Sequence, residues 1–284
     1  MSWQSNDFDI KERLSHLMTA RQMTDVTLIV GQEKEYFSTH SLLLCIHSEV
    51  FYAMFYGPLA EERKDIALPE DDVKAFRVFI NYIYTDEAAL QSVDEAIRSL
   101  YFAEKYMVTR MKKQCISFLI NMISANTVLE IYEELSFLQE SELIPKCWNY
   151  IIMNTSQIIK QEYFQHVKYE TILKIVSNDI LTLQSELDMY DAVIKWGKRR
   201  FQDQSPEDLR KKLEPLLDQI RFLSMTSAEF AESPCQDGML TKDEQLDILR
   251  EIATRKNYGS NNIHDQWRKP RKKKISNGIV FKIR

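Results

Sequence analysis

The sequence predicts an α+β protein that is mostly helical, with a small sheet capped by helices followed by an all-helical region. Strand-forming runs rich in β-branched residues end at Leu68, whereas apolar residues recur at helical spacing from Leu90 to about residue 254. A chain of 284 residues with 44% hydrophobic residues can bury one large core or two medium ones. Early strands and later helices therefore favour a helix-capped sheet ahead of a helical domain.

Three short strands are expected in the amino-terminal part. The run Asp25–Val30 is rich in β-branched residues and ends at Gly31. The run Tyr36–Thr39 follows a charged turn, so these two runs predict a hairpin. Asp65–Leu68 is the third candidate. Because two strands alone are unstable in water, the hairpin needs the neighbouring helices to cover it.

Capping residues and helix breakers mark three helices in the same part of the chain. Asp7, Ser48 and Asp72 each precede an apolar stripe and can act as N-caps. The pair Gly57-Pro58 ends the second of these helices. The first helix carries one apolar face, made of Ile10, Leu14, Leu17 and Met18.

The later helices are predicted to form a bundle. Apolar stripes cover Val93–Leu100 and Val108–Met122, and Ser124-Ala125-Asn126 begins a further helix. The connections are short, and the sequence shows no motif that repeats every 20 to 50 residues. These features favour a bundle over a solenoid.

Composition argues against catalysis and against bound cofactors. The six glycines form neither G-x-G-x-x-G nor a P-loop, so a nucleotide-phosphate cradle is not expected. The four cysteines lack C-x-x-C spacing, which predicts free thiols in a reducing compartment without a disulfide framework. Cys45 and His47 are two positions apart on a helix and would face different sides, which excludes a shared metal. We expect no catalytic residue, no cofactor and no metal site.

The amino terminus carries acidic residues where a secretory signal would need a basic and then an apolar run. In addition, no window approaches eighteen uninterrupted apolar residues. The sequence therefore predicts a soluble intracellular protein without a membrane span.

The run from Asp25 to Leu90 contains DVTLIVG, YFSTHSLLLCIHSEVFYAMFYGPLAEE and IALPEDDVKAFRVFINYIYTDEAAL in that order. This order resembles the BTB/POZ domain, a docking and dimerisation module. The resemblance implies that the helix before the first strand crosses onto a second subunit, which makes its apolar face a homodimer interface. The alternative is that this face covers the chain's own sheet.

From Asn126 onward the chain resembles a BACK domain, with Trp196 and Ile220-Arg221-Phe222 as the clearest markers. The two resemblances predict a dimerisation helix over 1–24, a BTB/POZ domain over 25–122, a BACK domain with the 3-box over 123–254 and a basic tail over 255–284. The segment FYAMFYGPLAEE is most similar to BTB-BACK proteins that continue into a PHR domain. Here the chain stops before such a domain could form, which suggests a short form, a truncated product or a partner lacking that domain.

The resemblance also implies a binding site for cullin-3. In BTB proteins that recruit this cullin, a hydrophobic residue followed one position later by glutamate lies just beyond the helix that Gly57-Pro58 ends, and Leu59-Ala60-Glu61 has that form. The alternative is local packing of Leu59 and a solvated loop at Glu61. Neighbouring aromatic residues and 3-box residues complete the predicted cullin site: Phe55, Tyr56, Tyr84, Tyr106, Tyr132, Phe137 and Leu138.

The carboxyl-terminal part has the opposite charge to the rest. Residues 255–284 contain ten Lys or Arg and one acid, whereas residues 1–254 contain 27 basic and 41 acidic residues. The most basic part is the run from Arg268 to Lys274. This basic run is interpreted first as a solvated linker, then as a nuclear localisation signal, and last as a nucleic-acid or membrane patch. The residues of that signal would be Arg268, Lys269, Arg271, Lys272, Lys273 and Lys274.

Two functions fit these observations. The first is a substrate adaptor of a cullin-3 RING E3 ubiquitin ligase, cytoplasmic or nuclear, that homodimerises, binds cullin-3 and presents an unknown ubiquitination substrate. The second is a BTB-dimer scaffold or transcriptional regulator that binds no cullin. BTB transcription factors place a basic residue after the histidine that here is His40, and Ser41 replaces it. This difference weakens the reading as a corepressor-binding protein.

Overall fold

The computed structural model describes residues 8–58, 60, 65–136, 142–202, 204–254, 263–274 and 280–282. The chain divides into two compact units, Met1–Met122 and Ile123–Arg284. The first unit contains a three-stranded sheet with helices around it, and the second is built mainly of helices. The predicted class, α+β and mostly helical, is confirmed.

The sheet of the first unit has the order β2-β1-β3. Strand β1 (Val26–Val30) pairs antiparallel with β2 (Glu35–Thr39) and parallel with β3 (Asp65–Leu68). Alternate residues of β1 are buried, as expected of a strand with one face on a core. The predicted hairpin and third strand are therefore present.

Six helices surround this sheet in the described part of the first unit. Ser48 and Asp72 cap the helices α3 (Glu49–Tyr56) and α4 (Val73–Thr85) as predicted, because their side chains accept hydrogen bonds from the amides of Phe51 and Ala75. The prediction for the first helix was wrong: Asp9, not Asp7, caps α1 and forms a capping box with Glu12. Asp7 itself lies outside the described residues. The helices are α1 (Ile10–Ala20), α2 (Ser41–His47), α3 (Glu49–Tyr56), α4 (Val73–Thr85), α5 (Val93–Lys105) and α6 (Thr109–Asn121).

Stacked aromatic rings form the core of the first unit. Phe51 of α3 lies parallel to Tyr106, with ring centroids 4.6 Å apart, and also stacks on Phe79 of α4. Phe76 and Phe102 extend the cluster, and all five rings are buried. Such rings bury large apolar areas, so this cluster fixes how α3, α4 and α5 pack.

The second unit is predominantly helical, with Trp196 near the centre of its core. The Trp196 indole is fully buried and donates to the Val167 carbonyl oxygen at 2.9 Å. An added Cβ at Gly197 would lie 2.6 Å from Leu213, which shows how closely α11 and α12 approach. The helices are α7 (Val128–Leu135), α8 (Leu143–Met153), α9 (Thr155–Ile158), α10 (Tyr169–Val176), α11 (Glu186–Arg200), α12 (Pro206–Leu217), α13 (Ser227–Glu232) and α14 (Lys242–Thr254).

Residues 263–272 are part of this second unit. The Trp267 indole is 2% exposed and donates to the Leu217 carbonyl oxygen at 3.1 Å. Strand β4 (Lys272–Lys274) pairs antiparallel with β5 (Val280–Lys282). The interpretation of the basic run Arg268–Lys274 as a solvated linker is therefore wrong for Arg268 and Arg271, which form ion pairs with Glu251 and Glu186. Lys269 and Lys272 are exposed.

Candidate protein-interaction surface

Helix α3 is fixed at its start by Ser48 and at its end by Gly57. The Ser48 hydroxyl accepts from the Phe51 amide at 3.2 Å and donates to the Tyr106 carbonyl oxygen at 2.6 Å. At the other end, a Cβ on Gly57 would lie 2.3 Å from the Ala53 carbonyl oxygen. Only glycine fits there without a shift of the backbone. Leu59 and Glu61, the predicted cullin anchor, lie outside the described residues, so their role stays a prediction.

Two tyrosines one turn apart expose their rings on α3. Tyr56 was predicted at this surface and is 61% exposed. Tyr52 is 57% exposed, and its ring centroid lies 5.8 Å from that of Tyr56. Phe55 is half-buried and stacks on Phe51. Sequence reasoning missed Tyr52, although its spacing of four residues from Tyr56 could have revealed it.

Tyr84 and Tyr106, also predicted at the cullin site, are each 2% exposed. The Tyr84 hydroxyl lies 2.5 Å from His40 Nδ1, and the Tyr106 hydroxyl donates to the Asp71 carboxylate. Burial, with the Asp71 charge beside it, raises the pKa of Tyr106. Both rings therefore lie in the interior, where they position neighbouring groups and expose almost no area to a partner.

A cleft of about 410 Å³ opens in the first unit among α2, α3, α4 and the turn between α5 and α6. Two large apolar side chains at this cleft are mostly exposed: Ile46 at 65% and Met107 at 59%. The lining residues are Cys45, Ile46, His47, Ser48, Glu49, Tyr82, Asp86, Met107, Val108, Thr109 and Arg110. Exposed apolar residues around a polar cleft are typical of a surface that binds another protein.

One ion pair and partial burial set the charges of this cleft. Arg110 Nη1 lies 2.6 Å from Asp86 Oδ2. Burial, together with the charge and hydrogen bond of Asp86, raises the pKa of Tyr82 to about 12. Burial lowers the pKa of His47 and raises the pKa of the Cys45 thiol. At neutral pH the cleft therefore presents a neutral imidazole and a protonated thiol.

The junction between β2 and α2 is tied by hydrogen bonds that do not resemble a catalytic relay. Asp25 accepts from both the amide and the hydroxyl of Ser41, at 2.7 and 2.5 Å. Burial raises the pKa of Asp25, but these hydrogen bonds outweigh it and the pKa is lowered. His40 instead contacts Tyr84 and the Gln22 carbonyl oxygen. The Ser41 hydroxyl therefore donates to Asp25 and is not hydrogen-bonded to His40.

The predicted dimer face of α1 is only partly covered by its own unit. Helix α1 packs against α4, and Lys11 forms an exposed ion pair with Glu87 at 2.5 Å. Ile10 is nevertheless 70% exposed, whereas Leu14, Leu17 and Met18 are of intermediate exposure. The face thus packs partly on its own unit and leaves apolar area exposed at Ile10.

The 3-box region contributes interior residues. Tyr132 is 5% exposed, and its hydroxyl accepts from Lys174 Nζ at 2.7 Å. The same ammonium group lies 4.4 Å from the centroid of the Trp148 ring. Phe137 and Leu138 lie outside the described residues. For Tyr132, the structure therefore shows packing within its own domain.

Buried charges hold the basic run against the helical domain. Arg271 is 6% exposed and pairs with Glu186, which is 7% exposed. Arg221 is fully buried and donates to Asp179 at 2.7 Å. Burial, and then the nearby Arg271 charge, lowers the pKa of Arg221. Two guanidinium groups and two carboxylates thus compensate one another there, an arrangement that charge counting did not reveal.

Among the described residues, no helix combines the length and apolar character needed to cross a membrane. Over that same part of the chain, no three His, Cys, Asp or Glu side chains come together as a group that could hold a metal ion. The four cysteines, all within the described ranges, are free thiols.

Two family models match the chain in succession. The first, described as the BTB/POZ domain, matches residues 14–123. The second, named BACK and described as "BTB And C-terminal Kelch", matches residues 128–233. The chain is therefore a BTB–BACK protein, and the predicted resemblance to both domains is confirmed. BTB domains generally mediate dimerisation and protein interaction, which agrees with a surface suited to binding.

The chain is similar to several vertebrate BTB proteins. It is 31% identical over 254 residues to BTB/POZ domain-containing protein 6 of Xenopus tropicalis, covering 87% of this chain and 48% of the relative. The same protein of Mus musculus is 32% identical over 254 residues, covering 87% of this chain and 47% of the relative. BTB/POZ domain-containing protein 3 of Homo sapiens is 31% identical over 254 residues, with 87% and 48% covered. The chain spans about half the length of these curated relatives.

Proposed function

We propose that this protein is a non-catalytic substrate adaptor of a cullin-3 RING E3 ubiquitin ligase. Its domain combination, BTB followed by BACK, is typical of such adaptors. One observation carries the proposal: Ile46, Tyr52, Tyr56 and Met107 each expose more than half of their side chains on the BTB domain. We call these four residues the BTB docking face. The predicted anchor Leu59-Ala60-Glu61 follows directly after α3, the helix that carries Tyr52 and Tyr56.

The physical chemistry of this face suits a protein partner. Aromatic residues and methionine are enriched in interface cores, and a few buried anchors usually carry most of the binding energy. Beside these apolar groups, the cleft offers the ion pair of Asp86 and Arg110 as a polar rim. The Cys45 thiol and the Tyr82 hydroxyl there stay protonated at neutral pH, which supports a role without chemistry on a substrate.

The adaptor is proposed to act as a homodimer. The face formed by Ile10, Leu14, Leu17 and Met18 would meet the same face of a second subunit, as an isologous interface requires. Two subunits would then present two cullin sites and two substrate sites. We place this assembly in the cytoplasm, with nuclear entry as an alternative, and its ubiquitination substrate is unidentified.

Isothermal titration calorimetry of the purified full chain with purified cullin-3 tests the proposal. Replacing Met107 with Asp places a charge in the docking face, and we expect affinity to fall at least about tenfold, or about 1.4 kcal/mol. The double variant Leu59→Ala/Glu61→Ala should weaken binding similarly. Leu246→Asp is the matched control, because Leu246 is a half-exposed leucine of α14, outside the BTB domain.

If Met107→Asp and the double variant both keep the wild-type affinity for cullin-3, the docking face is not the cullin-binding surface. No binding by the intact chain would overturn the adaptor assignment itself. A stable dimer that does not bind cullin-3 would instead favour the alternative function, a scaffold or transcriptional regulator. Size-exclusion chromatography with light scattering separates these cases, since it reports dimerisation independently of the cullin.

A further inference from the structure

The basic segment, Arg268–Lys274, matches the composition of a nuclear-import signal, yet its two arginines point into the BACK domain. Arg271 donates to Glu186 Oε1 at 2.5 Å and to three backbone carbonyl oxygens, those of Val176, Asn178 and Gln219, at 2.7, 2.6 and 3.3 Å. Exposing this guanidinium alone would leave the Glu186 carboxylate buried without its ionic partner, which is strongly unfavourable.

Arg268 is held in a similar way by a second carboxylate. Its guanidinium donates to Glu251 at 2.8 and 3.2 Å and to the Ile263 carbonyl oxygen at 3.2 Å. The adjacent Trp267 ring lies 5.0 Å from Phe222 in an edge-to-face contact. Aromatic burial and ion pairing therefore fix this end of the basic segment on the same domain.

The backbone of the basic segment is engaged as well. The Lys272 amide donates to the Asp179 carbonyl oxygen at 2.6 Å, and Lys272 forms a parallel bridge with Ile180. Lys269 and Lys272 are exposed. A receptor that reads a short basic run takes successive side chains and the backbone of an extended peptide. In the docked arrangement Lys269 and Lys272 are open to such a receptor, whereas the guanidinium groups of Arg268 and Arg271 are held by carboxylates.

We propose that the basic segment is a masked nuclear-import signal, hidden by Glu186 and Glu251 and readable only when residues 263–272 leave the BACK domain. This inference is independent of cullin binding, because it rests on contacts within the second unit. Release would separate both guanidinium groups from their carboxylates and free the Lys272 amide. Import would then depend on a conformational change and not on the mere presence of the basic run.

Binding to a purified import receptor of the class that reads Lys/Arg runs tests the masking. The probes are the full chain and a synthetic peptide of residues 264–276. We expect the peptide to bind at least about tenfold more tightly than the full chain. The double variant Glu186→Gln/Glu251→Gln should move the affinity of the full chain toward that of the peptide. The control, Glu207→Gln/Glu232→Gln, removes the same charge from exposed positions of the same unit and should change nothing.

Equal binding by the peptide and the wild-type chain would overturn the masking. A peptide that does not bind the receptor, or that binds only heparin or RNA, would overturn the import signal. If the double variant fails to fold, amide hydrogen exchange on the wild-type chain tests the masking without it. The amides of Trp267, Lys269 and Lys272, which all donate hydrogen bonds, should exchange far more slowly in the chain than in the peptide. Equal exchange rates would overturn the proposal as well.

Discussion

The Arg271 guanidinium lies against the Glu186 carboxylate, with Nε 2.5 Å from Oε1, although 85 residues separate them in the sequence. Both side chains are nearly excluded from water, at 5% and 7% exposure. Glu186 Oε2 also accepts from the Arg221 amide at 3.3 Å. The pair therefore joins the start of α11, the residues after α12 and the basic segment into one buried network.

Replacing Arg271 with Ala should destabilise the BACK domain strongly. The change leaves the Glu186 carboxylate buried without its ionic partner, which typically costs about 3–5 kcal/mol. Denaturant unfolding of the full chain, followed by intrinsic tryptophan fluorescence, measures the loss. Lys269→Ala, at an exposed position two residues away, should stay within about 0.5 kcal/mol of wild type. Equal effects of the two variants would show that the buried pair contributes nothing specific.

Ser48→Ala should cost more stability than the loss of a helix cap alone. Removing the hydroxyl deletes the cap of α3, typically worth about 0.5–2 kcal/mol. It also leaves the buried Tyr106 carbonyl oxygen without its donor, for about 1–3 kcal/mol more. Ser92→Ala is the matched control, because exposed Ser92 caps α5 through the Glu95 amide only. If both variants lose a similar amount of unfolding free energy relative to wild type, the hydrogen bond from Ser48 to the Tyr106 carbonyl oxygen does not add to the stability.

Local features of the fold could be predicted from the sequence because their signals are local. Strand alternation in Val26–Val30, the caps at Ser48 and Asp72 and the break at Gly57 each depend on residues a few positions apart. The cap of α1 was misplaced at Asp7, although Asp9 and Glu12 have the spacing of a capping box. That spacing is the local signal that identifies Asp9 as the cap.

Features that depend on distant contacts could not be predicted in this way. Tyrosine suits both interiors and surfaces, so composition could not show that Tyr84 and Tyr106 are buried whereas Tyr56 is exposed. Similarly, a run of lysine and arginine is usually solvated. Glu186, which pairs with buried Arg271, lies 85 residues away, and Glu251, which pairs with Arg268, lies 17 residues away, so no pattern of neighbouring residues indicates either pair.

Gly57→Ala should weaken both the BTB domain and its binding to cullin-3. The added methyl group would overlap the Ala53 carbonyl oxygen, so the end of α3 must move, at a cost of about 1–3 kcal/mol. That movement would shift the chain leading to Leu59. Tyr56→Ala is the informative comparison, because it removes an exposed ring and should reduce binding with little loss of stability. Thermal unfolding and calorimetry with cullin-3 measure the two effects separately; unchanged stability of Gly57→Ala would contradict the fixed helix end.

Glu229 should make part of the stability of the BACK domain depend on pH. Hydrogen bonds from the Ser185 hydroxyl, at 2.5 Å, and from the Thr226 amide, at 2.7 Å, hold the pKa of Glu229 below its ordinary value of 4.5. Because the folded state favours the carboxylate, its stabilisation is fully present above pH 4.5 and is lost as the pH falls through the lower, folded pKa.

The difference in unfolding free energy between wild type and Glu229→Gln should therefore be largest at neutral pH and shrink in acid. Denaturant titrations across this range measure it. Ser185→Ala serves as the control, since it removes the first donor and should raise the pKa of Glu229 toward 4.5, which narrows the pH-dependent part of the difference. A difference that stays constant through the acid range would mean that the carboxylate charge does not stabilise the start of α13.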